Sequence, residues 1–188
     1  MTNIFQGKLV RLRAVEPSDW EIHFRWDKDT EGGRLTDEVW FPSSTEGTRR
    51  WAEEQSRRKD GENFRFQIER ASDSVLVGAI NTHGCNPRCG TFMYGLAIMP
   101  TYQRRGYAAE AVRLVLRYYF HERRYQKVNA EVYAFNEPSI RFHQYLGFVQ
   151  EGRLRRMIYS GGEFHDALIF GMTLEEFDAT GWNQEGEG

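Results

Sequence analysis

A hexapeptide rich in basic residues, Gln103-Arg104-Arg105-Gly106-Tyr107-Ala108, separates an apolar stretch from an amphipathic one. The apolar stretch, residues 90–99, is followed by Pro100 and is typical of a buried strand. A helix starting at Gly106 would direct its first backbone N–H groups and its positive dipole end at a phosphate. The hexapeptide therefore predicts a phosphate-binding loop, with a plain capped helix as the alternative. It matches neither the GxxxxGK[ST] nor the GxGxxG pattern.

The elements around this loop follow from hydrophobic periodicity. The helix after Gly106 carries apolar residues at helical spacing from Ala108 to Tyr119. Three further helices are predicted: one from Pro17 to a break at Gly32-Gly33, one capped by Ser43 and running to about Lys59, and a short one from Pro138 to Gly147. Strands are predicted at residues 9–13, 64–70, 75–82, 90–99, 128–136, 148–158 and 167–173. This order predicts an α/β (α+β) fold.

Length and composition predict one domain. The chain has 188 residues, of which 40% are hydrophobic, enough for one sizeable core. We expect a single domain over residues 1–178 and a flexible acidic tail over 179–188, with fraying after Leu174. No run of about 18 apolar residues occurs, and the first residues lack a signal-peptide pattern. We therefore expect a cytoplasmic protein with no membrane partner.

Charge is distributed unevenly along the chain. Residues 16–46 hold nine acidic and three basic residues, a net charge of −6. Residues 101–127 hold seven basic and two acidic residues, a net charge of +5. These segments suit an anionic cofactor and a cationic second substrate, although solvated helix faces are the alternative. The overall net charge of −2 argues against a nucleic-acid partner. Cys85 and Cys89 could complete a four-ligand zinc site only with His83 and one more group, so no metal is expected.

Several motifs in sequence order resemble those of the GNAT superfamily of N-acetyltransferases. They are Q-x-x-G-x-A after a strand, Asn136 at a strand end, and Ser139 preceding Leu146-Gly147-Phe148. The segments LVRLRAVEPSDW and GEFHDALIFGMTLEEF resemble its RimJ/RimL branch, which acetylates protein N-terminal amines. The resemblance covers Leu9 to Phe177. It implies a mixed, mostly antiparallel sheet of about seven strands with splayed central parallel strands, and about four helices.

The resemblance also implies a co-substrate, acetyl-coenzyme A, and its binding residues. Its pyrophosphate would lie on the backbone amides of Gln103–Ala108, and its pantetheine arm would pair with the backbone of Leu96, Ala97 and Ile98. Asn136 and Ser139 would line the pantetheine side. An amine would attack the thioester directly, with a strand N–H near Leu96 or Ile98 stabilising the oxyanion.

The catalytic residues depart from the family pattern. The family places a Tyr four residues before the Gly of its LGF motif, but His143 stands there and Tyr145 lies about 200° further around the helix. His143 is the candidate acid for the leaving thiolate, with a buried core histidine as the alternative. Met93 replaces a Glu that the branch can carry. Glu131 is the candidate base, acting through water, with an exposed strand carboxylate as the alternative.

The main hypothesis is an N-acetyltransferase that acts on a primary amine, either a protein N-terminus or a small cationic molecule. The first alternative is a non-catalytic acyl-coenzyme A sensor or scaffold that kept the phosphate loop and lost the chemistry. A second is a nucleic-acid binder that uses residues 104–127. The sequence leaves open whether the protein is a monomer or a homodimer.

Overall fold

The computed structural model describes residues 3–36, 38–58 and 61–182. These residues form seven strands and six α-helices. In chain order they are β1 (Val10–Arg13), α1 (Trp20–Trp26), α2 (Thr30–Thr36), α3 (Thr45–Ser56), β2 (Arg65–Arg70), β3 (Leu76–Asn86), β4 (Thr91–Ile98), α4 (Tyr107–Arg117), β5 (Lys127–Tyr133), α5 (Glu137–Tyr145), β6 (Val149–Ser160), β7 (Glu163–Thr173) and α6 (Leu174–Ala179).

The strands form one mixed sheet in the order β1-β2-β3-β4-β5-β7-β6. β4 pairs with β5 in parallel, with Thr91–Met93 opposite Lys127–Asn129. β1–β2, β2–β3, β5–β7 and β6–β7 pair antiparallel. The predicted fold class, a mostly antiparallel sheet of seven strands with a central parallel pair, is therefore confirmed. β4 is the fourth of the seven strands, so the central place predicted from its apolar sequence is also confirmed.

The chain forms two compact units that are interleaved in sequence. The first comprises Met1–Thr82 and Gly95–Leu114, and the second His83–Tyr94 and Val115–Gly188. Val10, Leu12, Ile68, Val77 and Ile80 are among the buried side chains of the first unit. In the second unit, the ring of Phe92 stacks on Tyr119 and meets Tyr125 edge-on, with centroids 4.4 and 5.5 Å apart. Each unit thus has a buried apolar centre.

Three helix predictions need correction. Gly32-Gly33 does not end a helix: α1 ends at Trp26, and the glycine pair lies inside α2. The Asp29 side chain accepts a hydrogen bond from Gly32 N at 3.0 Å, and this contact offsets the low helix propensity of glycine. Ser44, not Ser43, caps α3 by accepting from Gly47 N at 2.9 Å. α3 ends at Ser56, and Lys59 lies outside the described residues.

The chain does not fray directly after Leu174. Thr173 and Glu176 form a reciprocal capping box that starts α6, and Phe177 is 1% exposed. Phe177 contacts Phe120, with ring centroids 5.4 Å apart, so this end is held by apolar contact. With α2 and α6, six α-helices replace the four expected. Residues 183–188 of the predicted tail lie outside the described residues.

Candidate active site

The predicted phosphate loop connects β4 to α4. Gln103, Arg104, Arg105 and Gly106 are exposed, and α4 begins at Tyr107. Gly106 has φ +84° and Arg104 φ +59°, left-handed conformations that turn the chain sharply. The first helical bond runs from Glu110 N to Gly106 O at 3.1 Å. The N–H groups of residues 106–109 precede the helical ladder and therefore have no acceptor within it, which is the arrangement that binds an anion.

Side chains of the loop fix its path. Gln103 Nε2 donates to Ile98 O at 3.0 Å, joining the loop to the end of β4. The Arg105 guanidinium donates to Thr101 O at 3.1 Å and lies 5.8 Å from the Tyr102 ring centroid. The loop is therefore held in shape by its own contacts. Tyr107 is buried and Ala108 half-buried, so their contribution to an anion would come from the backbone.

Glu110 holds the first turn of α4 against the start of the chain. Its carboxylate accepts from the backbone N–H groups of Lys8, Leu9 and Val10 at 3.0, 2.7 and 2.7 Å. This role of Glu110 was not predicted from the sequence. The only local signal was an acidic residue in the first helical turn, and its partners lie 100 to 102 positions away.

The strand residues assigned to pantetheine lie at the end of β4. Ala97 is exposed, whereas Leu96 and Ile98 are half-buried. Beyond them, Met99 N donates to Val77 O at 2.9 Å on β3. A Cβ on Gly78 would collide with the carbonyl oxygen of Ala97, so glycine is required there for β3 and β4 to approach. The first unit thus brings Leu96–Ile98 and the loop 103–108 together through the Gln103 contact.

Asn136 and Ser139, in the second unit, form the N-terminus of α5. Asn136 is 9% exposed and caps the helix, its Oδ1 accepting from Ser139 N at 3.1 Å. The strand before it ends at Tyr133, three residues earlier than predicted. This capping bond uses one of the two lone pairs of Asn136 Oδ1.

His143 is 6% exposed and has a hydrogen-bond partner at each ring nitrogen. Nδ1 lies 2.8 Å from Ser139 O, which can only accept, so we assign the ring proton to Nδ1. Nε2, 2.8 Å from the Tyr94 hydroxyl, then accepts from it. Burial lowers the pKa of His143 and raises that of Tyr94. Tyr145, by contrast, is 72% exposed.

Glu131 is exposed on β5, opposite Ile169 of β7. His83, at an exposed position on β3, interacts electrostatically with Glu131. Partial burial lowers the pKa of His83, and Glu131 opposes that shift. Near these residues, Met93 pairs with Asn129 in the parallel register. The interaction of His83 with Glu131 was not predicted from the sequence, because β3 runs four residues further than expected, to Asn86, and places His83 on a strand rather than in a loop.

The acidic segment 16–46 is only partly a solvated surface. Asp19 is buried and accepts two hydrogen bonds from Arg13, at 2.8 and 2.9 Å. Asp27, Asp29 and Glu38 are exposed, and Asp37 lies outside the described residues. The exposed carboxylates alone can attract a cation.

Neither a metal site nor a membrane helix was found in the part of the chain that the structure describes. Among residues 3–36, 38–58 and 61–182, His, Cys, Asp and Glu side chains form no group of three that could hold a metal ion. Cys85 and Cys89 form no disulfide bond within the described residues. Of the described helices, none has the length and apolar character needed to cross a bilayer.

The sheet order, the loop before α4 and the capped α5 are features of one enzyme class. The acetyltransferase (GNAT) domain matches residues 10–149, and the chain belongs to this family of acetyl-coenzyme A-dependent enzymes. It is accordingly an acetyltransferase enzyme.

Known proteins resemble the chain over nearly its full length. A prophage-derived, uncharacterized N-acetyltransferase of Bacillus subtilis, YokL, is 44% identical over 92% of this chain and 94% of its own length. An acetyltransferase structure from Bacillus anthracis aligns with a TM-score of 0.76 at 25% identity, covering 91% of this chain and 98% of its own. The spermidine N-acetyltransferase of Vibrio cholerae, solved with CoA and spermine, aligns with a TM-score of 0.79 at 20% identity, over 91% and 99%.

Proposed function

We propose that this enzyme transfers the acetyl group of acetyl-coenzyme A to a primary amine, on a protein N-terminus or a small cationic molecule. The observation that carries the proposal is the loop 103–106, whose left-handed Gly106 opens α4 and whose Gln103 is bonded to the end of β4. This geometry suits a pyrophosphate on the helix N-terminus and an arm along Leu96–Ile98. Arg104 and Arg105 supply positive charge beside it.

Two observations support an acceptor that carries positive charge. The exposed carboxylates of Asp27, Asp29 and Glu38 attract cations. The Vibrio cholerae enzyme of the same fold is a spermidine N-acetyltransferase, which favours a small amine. The opening and closing segments of the chain resemble the RimJ/RimL branch instead, which favours a protein N-terminus. Both acceptor classes remain in the proposal.

Glu131 and His143 are the proposed base and acid. Glu131 would accept the amine proton through water, and neutral His83 beside it is a second proton acceptor. His143 would protonate the thiolate, and for this its ring must exchange one of its two present partners, Ser139 or Tyr94. Because both nitrogens are occupied, a non-catalytic acyl-coenzyme A-binding module is the second candidate function.

Substituting Gly106 tests acetyl-coenzyme A binding. Gly106→Glu places a carboxylate and a Cβ where the pyrophosphate must approach, so affinity measured by calorimetry should fall at least about tenfold, or about 1.4 kcal/mol. Gly162→Glu is the matched control, since Gly162 also has a positive φ, +89°, and open space around it. Equal affinities in two folded variants would refute the proposed loop.

Thiol release separates the two candidate functions. An acetyltransferase releases free coenzyme A from acetyl-coenzyme A when an acceptor amine is added, and a thiol reagent detects it. A binding module binds acetyl-coenzyme A and shows no amine-dependent release. The release assay with alaninamide and spermidine as acceptors is therefore the first experiment to perform.

A further inference from the structure

A group of polar and aromatic side chains, two of them buried and three half-buried, lies in the first unit between β2 and the helices α1 and α3. Gln67 on β2 is 0% exposed, and its side-chain amide is 2.9 Å from Nε2 of His23 on α1. The rings of Trp26 and Trp51 meet the His23 ring edge-on, with centroids 4.8 and 4.6 Å away. Arg65 lies over Trp51. We call His23, Trp26, Trp51, Arg65 and Gln67 the polar cluster.

Three buried polar atoms of this cluster have no hydrogen-bond partner among the described residues. They are Trp26 Nε1, Arg65 Nε and Gln67 Oε1. The indole and guanidinium nitrogens can only donate, so each requires an acceptor atom. Buried donors in native proteins are nearly always paired, and an unpaired one is costly. Two buried donor atoms without a partner, both on half-buried side chains, therefore point to a ligand group that accepts hydrogen bonds.

The charge of the cluster favours an oxygen-bearing group. The Arg65 guanidinium lies 5.3 Å from the Trp51 ring centroid. Burial lowers its pKa, and the negative charge of Asp27 opposes that shift. Within the described ranges it makes no ion pair. The two buried carboxylates on this face already have partners: Asp19 binds Arg13, and Glu69 binds Arg11 and Arg13. Arg65 is therefore a half-buried cation on which Asp27 acts electrostatically, and its Nε has no hydrogen-bond acceptor among the described residues.

A row of residues links the cluster to the strand proposed to bind acetyl-coenzyme A. Arg65 pairs with Asn81 in the β2–β3 register, so their side chains share one face of the sheet. Asn81 in turn faces Gly95 on β4, where a Cβ would come within 3.1 Å of Asn81 Oδ1. Leu96–Ile98, the residues proposed to bind the pantetheine arm, come directly after Gly95 in β4. An acceptor held at Arg65 would therefore extend towards the strand that carries the thioester.

We propose that Arg65 and Trp26 determine acceptor specificity by donating hydrogen bonds to an oxygen atom on the carbon next to the amine. This inference rests on the proposed acetyl transfer to an amine. An amino acid or a peptide N-terminus supplies such an oxygen. A polyamine offers only ammonium donors and methylene groups, and it would bring positive charge to Arg65. The polar cluster thus favours α-amino acyl acceptors over polyamines.

Four amines test the preference of the enzyme. L-Alanine, L-alaninamide and isopropylamine share the amine-bearing carbon and one methyl group, and carry a carboxylate, a carboxamide or a second methyl group. Spermidine is the fourth. Rates of thiol release, expressed per unprotonated amine, should give kcat/KM at least tenfold higher for alanine or alaninamide than for isopropylamine and spermidine. The better of the first two identifies the oxygen as carboxylate or carbonyl. A preference for spermidine or isopropylamine overturns the proposal.

Two variants test whether Arg65 and Trp26 cause this acceptor preference. Arg65→Gln and Trp26→Phe should each lower kcat/KM for the favoured compound at least tenfold, mainly through KM, and change that for isopropylamine less than twofold. Arg50→Gln, at an exposed position on α3, is the charge-matched control and should change neither. An equal loss of kcat/KM for all four amines indicates that Arg65 and Trp26 have a structural role, and it overturns the proposal. If Arg65→Gln does not fold, Trp26→Phe decides.

A binding measurement separates this proposal from the proposed function. Absence of thiol release with all four amines contradicts acetyl transfer. In that case, a rise in the melting temperature of the wild-type protein with alanine or alaninamide, lost in Trp26→Phe, still supports a site at the polar cluster. Absence of any shift overturns it.

Discussion

Histidine illustrates how burial decides the chemistry of a single side chain. His23 and His143 are buried, and burial lowers the pKa of both, to about 4 for His23. Neutral His23 binds Gln67, and neutral His143 binds Tyr94 and Ser139. The apolar neighbours of His143 in the sequence did indicate that it faces a core. The sequence could not indicate its partner Tyr94, which lies 49 positions away.

Replacement of His143 distinguishes its two interpretations. If it protonates the leaving thiolate, His143→Ala should lower kcat about 100-fold and leave acetyl-coenzyme A affinity nearly unchanged. Tyr94→Phe is the companion variant, because it removes only the hydroxyl that Nε2 contacts and should lower kcat less. A lower melting temperature with normal turnover in His143→Ala would instead identify a structural histidine.

The depressed pKa of His23 makes stability pH-dependent. Its pKa rises from about 4 in the folded protein to 6.5 in the unfolded chain. As pH falls through this interval, His23 takes up its proton in the unfolded state first. The contribution of neutral His23 to the free energy of unfolding is therefore fully present above pH 6.5 and is lost towards pH 4. Urea unfolding should give about 2 kcal/mol less stability from His23 at pH 5 than at pH 7.5.

A matched pair of variants checks the assignment of this pH dependence. His23→Gln retains a hydrogen-bonding side chain beside Gln67 and should lose about 2 kcal/mol less stability than the wild type between those two pH values. His165→Gln removes one histidine elsewhere and serves as the control. The same loss of stability in His23→Gln and wild type would exclude His23 as the responsible group.

At the scale of elements, α4 depends on a contact that its own sequence does not contain. Its amphipathic pattern and its Gly106 were sufficient to predict the helix and the loop before it, because both signals are local. The Glu110 contact with residues 8–10 joins distant segments and has no local pattern. α2 was not predicted, because the glycine pair is a local signal for a helix break. The hydrogen bond from Gly32 N to the Asp29 side chain outweighs that signal.

Removing the Glu110 carboxylate should weaken both the fold and the loop. Glu110→Ala leaves three backbone N–H groups of residues 8–10 without their acceptor, so we expect about 2 kcal/mol less unfolding free energy in urea. Acetyl-coenzyme A affinity should fall as the helix start loosens. Glu53→Ala, whose side chain is 55% exposed on α3, should change stability by less than about 0.5 kcal/mol. Similar losses of unfolding free energy in Glu110→Ala and Glu53→Ala would show that the three hydrogen bonds accepted by Glu110 contribute little to stability.

At the scale of the whole molecule, the unequal charge of its segments predicts a salt effect on catalysis. Exposed carboxylates attract a cationic acceptor over a range of about 8 Å at physiological ionic strength. The kcat/KM of a cationic acceptor should therefore fall as salt rises. Asp37→Asn with Glu38→Gln should weaken this dependence and raise the acceptor KM, with acetyl-coenzyme A binding unchanged.

The control for this prediction changes the same number of charges elsewhere. Glu122 and Glu175 are exposed residues of the second unit, and their joint replacement by Gln should preserve the salt dependence. A rate that stays flat from low to high salt would identify the acidic segment as an ordinary solvated surface.

The interleaving of the two units has a consequence for how the chain is made. Residues 83–94 belong to the second unit, although residues of the first precede and follow them. During synthesis the first unit remains incomplete until Leu114 has left the ribosome, and Glu110 can bind residues 8–10 only once it has itself emerged, shortly before Leu114. A nascent chain stopped within 83–94 carries β1 and β2 without the helix start that anchors them. Neither unit is one contiguous fragment of the chain, so a chain that ends after Leu114 would hold the whole first unit together with residues 83–94 of the second.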